Sequence, residues 1–264
     1  MVKVTGLFIY PVKSLAGFSI QSSELDSMGL KHDRRWMVVN PDGKFITQRT
    51  LPIMALIKTT LDNKSLLTLS MSGKDDHRVA ATNDNSPLMQ VTIWRDTLNV
   101  QRAGDASDHW LSDALGVDCH LVYIAENVER QCSLEYAKVG DRTGFADAYP
   151  MLLISEESLA DLNSRLEKPV EMRRFRPNIV ISGCDAFAED KMEEFSIADI
   201  QMQGVKLCDR CPVPTVDPDK GERQGQEPII TLAKYRKWDN KVFFGMNVIH
   251  QQMGEIKVGD ELLL

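Results

Sequence analysis

The sequence predicts a mainly β protein with some α-helix. Short apolar segments alternate with turn residues through the first hundred positions, the composition changes near residue 104, and two segments show helical periodicity. Many short strands separated by turns are typical of a β-barrel or a β-sandwich. We therefore expect two parts, residues 1–103 and 104–264, with a helical connection at about 104–116.

The first part contains strands in quick succession. The turn sequence at positions 40–43, Asn-Pro-Asp-Gly, separates two of them, because these residue types favour turns. No period of 20–50 residues recurs, which argues against a solenoid. Apolar or alternating residues predict strands at 4–10, 17–25, 35–39, 44–48, 53–60, 66–71 and 91–94.

The second part begins with a predicted helix at 106–115, which Gly116 ends. Ser155 is a good N-cap for another helix, since two glutamates follow it in the first turn. Leu159, Leu162 and Leu166 have helical spacing, which indicates core packing. Further strands are predicted at 119–125, 151–154, 177–182 and 200–207, and the chain ends on the segment 255–264, which closes on three leucines.

Composition restricts the class of protein. The 264 residues are 43% hydrophobic and 26% charged, as in soluble globular proteins. A formal net charge of −7 argues against nonspecific nucleic-acid binding, which needs a basic surface. No apolar run is long enough to cross a membrane, and the amino terminus lacks a signal-peptide pattern. Five cysteines in no framework pattern fit a reducing compartment, so we expect a cytoplasmic protein.

The segment 208–221 carries the strongest chemical signal. It places Cys208 and Cys211 in a proline-stiffened turn with Arg210 between them. A guanidinium favours a nearby thiolate, so this loop is a candidate metal or redox site. The other cysteines are too isolated to complete a structural zinc site, and the prolines oppose the helix of a thioredoxin-like motif. An inert buried cysteine pair is a further alternative.

Cationic residues cluster at three places in this acidic chain. Closely spaced like charges are tolerated better around a bound anion, and arginine binds phosphate through two parallel donors. Taken singly, each is also explained as an ordinary solvated charge. The chain has no P-loop and no Gly-x-Gly-x-x-Gly motif. The three places are Lys13 next to Ser14, Arg34 with Arg35, and Arg173, Arg174 and Arg176.

Six segments together resemble one family. They lie at 10–14, 32–36, 153–163, 175–183, 215–219 and 256–260, in family order along the chain. In these segments the chain resembles the MOSC-domain molybdenum enzymes, which include the mitochondrial amidoxime-reducing components and the bacterial YcbX-type proteins. The resemblance implies a small N-terminal β-barrel packed on a MOSC β-barrel, with a molybdenum–molybdopterin cofactor between them.

The same resemblance implies the site residues. Cys211 matches the thiolate that binds molybdenum, and Cys208 is a neighbouring thiol with a structural role. Asp217 is the closest titratable group in sequence to the ligand loop, and either relays protons or caps its turn. At Asn247 some relatives have an aromatic residue. The implied cofactor-binding residues are Lys13, Ser14, Arg34, Asp147, Arg176, Asn178, Asp209, Arg210 and Asn247.

The implied activity is a two-electron reduction of N-hydroxylated compounds (amidoximes, hydroxylamines, N-hydroxylated bases) to amines or amidines. The cofactor would supply the redox chemistry. Since no Cys-x₄-Cys-x₂-Cys spacing is present, we expect electrons from a separate flavin, haem or iron–sulfur protein. Two alternatives are a carrier module that holds molybdenum cofactor or sulfur without reductase turnover, and a non-enzymatic β-rich interaction protein with structural cysteines.

Overall fold

The computed structural model describes residues 1–83 and 85–264, and its regular structure is mainly β. The strands of the first 123 residues are β1 Val2–Ile9, β2 Phe18–Ile20, β3 Ser22–Asp26, β4 Gly29–Leu30, β5 Trp36–Val39, β6 Lys58–Leu61, β7 Leu67–Ser70, β8 His77–Arg78, β9 Leu88–Ile93, β10 Asp96–Arg102 and β11 His120–Tyr123. The later strands are β12 Met151–Ser155, β13 Ile179–Ser182, β14 Glu194–Ile197, β15 Ile200–Asp209, β16 Val216–Asp217, β17 Glu222–Arg223, β18 Lys237–Trp238, β19 Lys241–His250, β20 Gly254–Lys257 and β21 Glu261–Leu263.

Helices are short and lie between strands. The α-helices are α1 Asp105–Leu115, α2 Glu156–Ser164 and α3 Ile229–Ala233. Single 3₁₀ turns occur at Pro52–Leu56, Met172–Arg174, Ala188–Lys191 and Val213–Thr215. In the described part of the chain, no α-helix combines the length and the apolar content needed to span a bilayer.

Seven strands of the described residues close into a barrel. Their order is β12-β13-β1-β21-β14-β15-β19, and β19 pairs back with β12. The first strand of the chain thus lies between β13 and β21, two strands that are far from it in sequence. Inward-facing apolar side chains fill the barrel, among them Leu7, Leu153, Ile181, Ile197 and Val248. Closure satisfies the backbone hydrogen bonds that an edge strand would expose.

A second core lies beside the barrel. The sheet β5-β11-β10-β9 and the sheet β6-β7-β8 belong to the first 123 residues. Side chains from several of these elements and from α1 share one buried cluster, including Val38, Leu69, Leu111 and Leu121. The mainly β class and the two-barrel expectation are confirmed. The division at residue 103 stays a prediction.

Several predicted elements are confirmed. The helix at 106–115 is α1, and Gly116 ends it with φ 68°. Ser155 caps α2, because its Oγ accepts a hydrogen bond from the Ser158 backbone N–H at 3.1 Å. Leu166 lies beyond the end of α2, although it packs against the same cluster as Leu162.

Other predicted elements were wrong in part. Residues 44–48 form a loop with isolated bridges at Lys44 and Phe45. The segment 53–60 begins as a 3₁₀ turn, because Pro52 fits the first helical position and cannot donate to a sheet. The predicted strand 17–25 is interrupted at Gln21, which separates β2 from β3. The long strand β19 was not predicted, although its apolar residues alternate around Gly245.

Candidate functional site

Ten of the eleven predicted site residues line one cleft of about 170 Å³. The exception is Asp217, which is not among the residues lining it. Segments far apart in sequence meet here: the loop after β1, the loop before β5, the loop before β12, the turn before β13 and the end of β15. The ten residues are Lys13, Ser14, Arg34, Asp147, Arg176, Asn178, Asp209, Arg210, Cys211 and Asn247.

Three of the cleft residues have a left-handed backbone. Ser14 has φ 68°, Arg34 φ 47° and Arg176 φ 57°. This conformation is unfavourable for residues other than glycine, and it persists only where surrounding contacts hold it. The Arg34 backbone is held on both sides, since its N–H donates to Tyr10 O at 2.9 Å and its carbonyl accepts from Phe145 N at 2.7 Å.

Lys13 and Asp147 form the central ion pair of the cleft. Lys13 Nζ donates to Asp147 Oδ1 at 2.5 Å and to the Phe145 carbonyl at 2.8 Å. Burial lowers the pKa of Lys13 to about 8, with Asp147 opposing that shift. Burial alone would raise the pKa of Asp147, but Lys13 and Arg49 hold it well below its usual range. The carboxylate is therefore charged throughout the neutral range.

Arg49 was not predicted, yet it lines the cleft between Asp147 and Cys211. Its Nη2 donates to Asp147 Oδ2 at 2.9 Å. Burial lowers the pKa of Arg49, but Asp147 and the Cys211 sulfur more than offset that effect and raise it. Arg49 and Cys211 thus lie close enough in the cleft to influence each other's charge.

Arg130 braces the loop that carries Asp147, and it was not predicted either. Its guanidinium donates to the carbonyls of Gly144 at 2.7 Å, Ala146 at 2.6 Å and Asp147 at 3.2 Å. A side chain on Gly144 would meet the Arg34 carbonyl at 2.7 Å, so this close approach requires glycine. The loop conformation therefore depends on one buried cation and one glycine.

Two guanidiniums lie over the ring of Tyr10. The Arg34 carbon Cζ is 4.4 Å from the ring centroid, and that of Arg176 is 4.2 Å away. A Cβ on Gly17 would meet the Tyr10 ring at 2.3 Å, so glycine is needed to admit the ring. Burial raises the pKa of Tyr10 to about 12, against the effect of Arg176 and Arg34. Tyr10 therefore stays neutral and supports both cations by cation–π contact.

The cleft carries an excess of positive charge and of unused donors. Its lining has five cationic side chains against two carboxylates. Buried donors without a partner among the described residues are Nη2 of Arg176, Nε of Arg49 and Nε of Arg210. Burial lowers the pKa of Arg176 to about 10, with Arg34 adding to the effect. Buried polar groups are nearly always hydrogen-bonded, so this arrangement suits an anion with several acceptors.

The two cysteines of the 208–211 turn have different surroundings. Cys208 accepts a hydrogen bond from Arg210 Nη1 at 3.1 Å and packs against the apolar cluster around Phe175 and Phe244. Burial raises the pKa of Cys208, with Arg210 opposing it. Arg210 therefore contacts Cys208, while both cysteines are free thiols at the cleft.

The arrangement of the described side chains gives little support to a structural zinc site. Among residues 1–83 and 85–264, no three His, Cys, Asp or Glu side chains cluster as metal ligands. A structural zinc site needs four such ligands. In the described chain, the cysteine turn therefore offers too few protein ligands for a closed zinc site.

The two predicted asparagines are engaged with the protein itself. Asn178 Oδ1 accepts from Arg34 Nη1 at 2.7 Å and from the Leu152 N–H at 3.2 Å. Its Nδ2 donates to the Phe8 carbonyl at 3.2 Å, so Asn178 fixes the position of Arg34. Asn247 Nδ2 donates to the Lys206 carbonyl at 3.0 Å within the barrel wall.

Asp217 ends β16 and begins the turn that follows it. Its Oδ1 accepts the backbone N–H groups of Asp219 at 2.9 Å and Lys220 at 3.2 Å. Its Oδ2 is 3.5 Å from Arg174 Nη2. The structure thus gives Asp217 a turn-capping contact, and proton relay by this residue stays a prediction.

A second, larger cavity of about 890 Å³ shares Arg176 and Val213 with the cleft. Its walls include apolar residues such as Phe8, Phe18 and Met71, and neither cysteine of the 208–211 turn lines it. The thiols and most of the predicted cations therefore identify the smaller cleft as the candidate site.

Comparison with known families agrees with this geometry. Residues 1–118 match the profile of the MOSC N-terminal beta barrel domain, and residues 140–263 match that of the MOSC domain. The chain belongs to the MOSC-domain family. Both matched regions contribute residues to the cleft.

Relatives of this MOSC protein extend over nearly its whole length. Mitochondrial amidoxime-reducing component 1 of Mus musculus is 36% identical, over 99% of this chain and 82% of the relative. Mitochondrial amidoxime reducing component 2 of Bos taurus is 34% identical, over 97% of this chain and 81% of the relative. Molybdenum cofactor sulfurase of Oryza sativa subsp. japonica is 32% identical over 96% of this chain but 33% of its own length.

Sequence reasoning missed Arg49 and Arg130 in this MOSC protein for a common reason. Neither belongs to a recognisable motif or stands in a run of cations. Arg49 contacts Asp147, about a hundred residues away, and Arg130 contacts the loop of Asp147, about seventeen residues away. Each role comes from these contacts. The sequence therefore carried no local signal for either residue, and only the fold shows that each arginine has a partner in this loop.

Proposed function

We propose that this protein is a molybdenum-cofactor-dependent oxidoreductase that reduces N-hydroxylated compounds to amines or amidines. One observation carries the proposal: Cys211 shares a cleft with five cationic side chains. Relatives named as amidoxime-reducing components, matched over nearly the whole chain, support the choice of reaction.

The residues of the cleft fit the cofactor. Arg176 Nη2, which is buried and has no partner among the described residues, suits the phosphate and the polar pterin edge together with the nearby Arg34 and Lys13. A thiolate at Cys211 is a soft ligand of the type that molybdenum accepts. When bound, the cofactor supplies the two-electron redox chemistry. The protein's part is to bind it, orient it and manage charge and protons.

Reduction of an N–OH group consumes two electrons and two protons and releases the oxygen as water. Protons are therefore needed at the cleft. Lys13 Nζ holds a proton at neutral pH, and its lowered pKa of about 8 allows it to release that proton readily. Asp147, hydrogen-bonded to Lys13 and Arg49, keeps the ammonium in place.

The electrons would come from a separate protein that carries flavin, haem or an iron–sulfur cluster. The sequence lacks the cysteine spacing of an iron–sulfur cluster of its own. Reductase turnover by the isolated protein would then depend on an added reductant, such as reduced viologen.

Metal analysis beside a turnover assay tests the proposal. Protein from a host that makes the cofactor is compared with Cys211→Ser and with the neighbouring Cys208→Ser. We expect molybdenum, pterin and benzamidoxime reduction by reduced viologen in the wild type, and loss of molybdenum and turnover in Cys211→Ser with an unchanged circular dichroism spectrum. Wild-type protein without molybdenum, or full turnover by Cys211→Ser, would overturn the proposal.

A carrier of molybdenum cofactor or sulfur is the second candidate. The match to molybdenum cofactor sulfurase over 96% of this chain favours it. Such a module would retain the cofactor yet would not turn over N-hydroxylated compounds. Cofactor-loaded protein that produces no amine with reduced viologen would favour the carrier over the reductase.

A further inference from the structure

An exposed tryptophan lies at the rim of the cleft. Trp94 and Arg95 form the two-residue loop between β9 and β10, because Ile93 pairs with Asp96. Trp94 has φ 55°, in the left-handed region. Positive φ at the first residue of such a loop favours glycine, so a bulky indole here is an outlier. An outlier of this kind persists where surrounding contacts hold it, and such outliers concentrate at functional sites.

The contacts that hold Trp94 are with the cleft itself. Its Nε1 donates to Asp147 Oδ1 at 3.4 Å, and the Arg49 guanidinium lies 4.5 Å from its ring centroid. The Phe45 ring packs against it at 5.1 Å. Arg49, Asp147 and Cys211 all line the cleft. The indole therefore contacts two residues of the cleft that holds the candidate metal ligand.

Much of the indole is nevertheless open to solvent. Trp94 is 46% exposed. Removing an aromatic surface of this size from water is favourable. The loop thus presents an exposed aromatic surface next to Arg49 and Asp147, two residues of the cleft lining. An aromatic surface beside a reactive centre selects ligands with flat, conjugated bodies, because these stack on it.

We infer that Trp94 determines substrate specificity by stacking on the conjugated body of an N-hydroxylated substrate whose N–OH group enters the cleft. The inference depends on the proposed reductase function and adds the substrate class. Aryl amidoximes and N-hydroxylated heteroaromatic bases are favoured over aliphatic analogues with the same head group. Benzamidoxime and acetamidoxime are a suitable pair, since they differ only in the body.

The experiment measures the ratio of kcat/KM for benzamidoxime to that for acetamidoxime, with reduced viologen as electron donor. Trp94→Leu removes the ring and lowers this ratio about fivefold, the value of one aromatic contact, mainly through the KM for benzamidoxime. Trp94→Phe keeps a ring, loses only the hydrogen bond to Asp147, and retains most of the ratio. A general effect on the cleft changes kcat/KM for both substrates by the same factor and leaves the ratio at its wild-type value.

Trp238→Leu is the matched control. Trp238 is 39% exposed and also lies near a guanidinium, with Arg236 5.1 Å from its ring, but its aromatic contact is Phe243, which does not line the cleft. This variant keeps the wild-type ratio. An unchanged ratio in Trp94→Leu, or an equal fall in Trp238→Leu, would overturn the inference while the reductase proposal stands.

Binding gives a readout that does not require turnover. Benzamidoxime added to the wild type in the absence of reductant quenches tryptophan fluorescence, and acetamidoxime does so much more weakly. The quench disappears in Trp94→Phe, since Trp36 is buried and the aromatic partners of Trp110 and Trp238 do not line the cleft. A quench that persists in Trp94→Phe would contradict stacking on Trp94. A wild type that binds and quenches but reduces neither compound would instead refute the reductase proposal.

Discussion

The Nζ atom of Lys13 lies 2.5 Å from Oδ1 of Asp147, although 134 residues separate the two in sequence. Lys13 follows the first strand of the barrel, and Asp147 lies in a loop that Arg130 braces. The pair therefore links the two matched regions of the chain at the cleft.

The first prediction concerns the pH dependence of anion binding. Burial lowers the pKa of Lys13 to about 8, so its positive charge is present below that pH and lost above it. We expect the affinity of cofactor-free protein for sulfate, which does not titrate in this range, to be constant below pH 8. It should fall by about tenfold towards pH 9, below the pKa of about 10 at which Arg176 would also lose its charge. Isothermal titration calorimetry measures it.

Lys13→Met is the control for this dependence. The variant lacks the titrating ammonium, so its affinity should be weak and nearly independent of pH between 7 and 9. A pH dependence of wild-type size in Lys13→Met would assign the titration to another group.

The second prediction concerns Arg176. Its Nη2 is buried without a partner among the described residues, and it lines the cleft. Arg176→Met should therefore lower molybdenum content by roughly tenfold or more, as expected for the loss of a hydrogen bond to a charged group. Arg173→Met is the matched control, because Arg173 is paired with Asp219 and Glu171 and does not line the cleft. Equal molybdenum in both variants would contradict an anion contact at Arg176.

The third prediction concerns Arg130. Arg130→Met leaves the carbonyls of Gly144, Ala146 and Asp147, as well as the Asp96 carboxylate, without their buried partner. We expect the free energy of unfolding to fall by about 3 kcal/mol, measured by urea denaturation. Arg142→Met removes two carbonyl contacts from a more exposed side chain and should cost less. A smaller loss at Arg130 than at Arg142 would show that the loop does not depend on Arg130.

The fourth prediction separates the two roles of Asp217. Because its Oδ1 accepts two backbone N–H groups, Asp217→Ala should lower the free energy of unfolding by about 1–2 kcal/mol. Asp217→Asn keeps an acceptor and should cost less. Turnover decides the proton-relay role: a relay requires a titrating carboxyl, so Asp217→Asn would then be as inactive as Asp217→Ala.

Much of the fold was predictable from local sequence. Turn residues separated short apolar strands, and Ser155 with its following glutamates marked the start of α2. Local patterns failed where one residue overrode its neighbours: Pro52 began a 3₁₀ turn, and Gln21 interrupted a strand. Barrel closure was beyond local patterns, because β1 pairs with strands about 180 and 260 residues away.

The candidate site divides in the same way. Motif residues, the cysteine turn and the cations at Lys13, Arg34 and Arg176 were predicted from sequence and meet in one cleft. Arg49, Arg130 and Trp94 were not, since their chemistry comes from what they contact.

By itself, the sequence determined the β-rich class through local residue patterns, and its resemblance to one family implied most of the residues at the cleft. Only the tertiary structure decided that Arg210 contacts Cys208 and that Arg49 joins Cys211 in the cleft. It likewise showed that Asp217 does not line the cleft and accepts a hydrogen bond within its own turn. The physical reason is that charge and hydrogen bonding act over a few ångströms in space, whatever the separation along the chain.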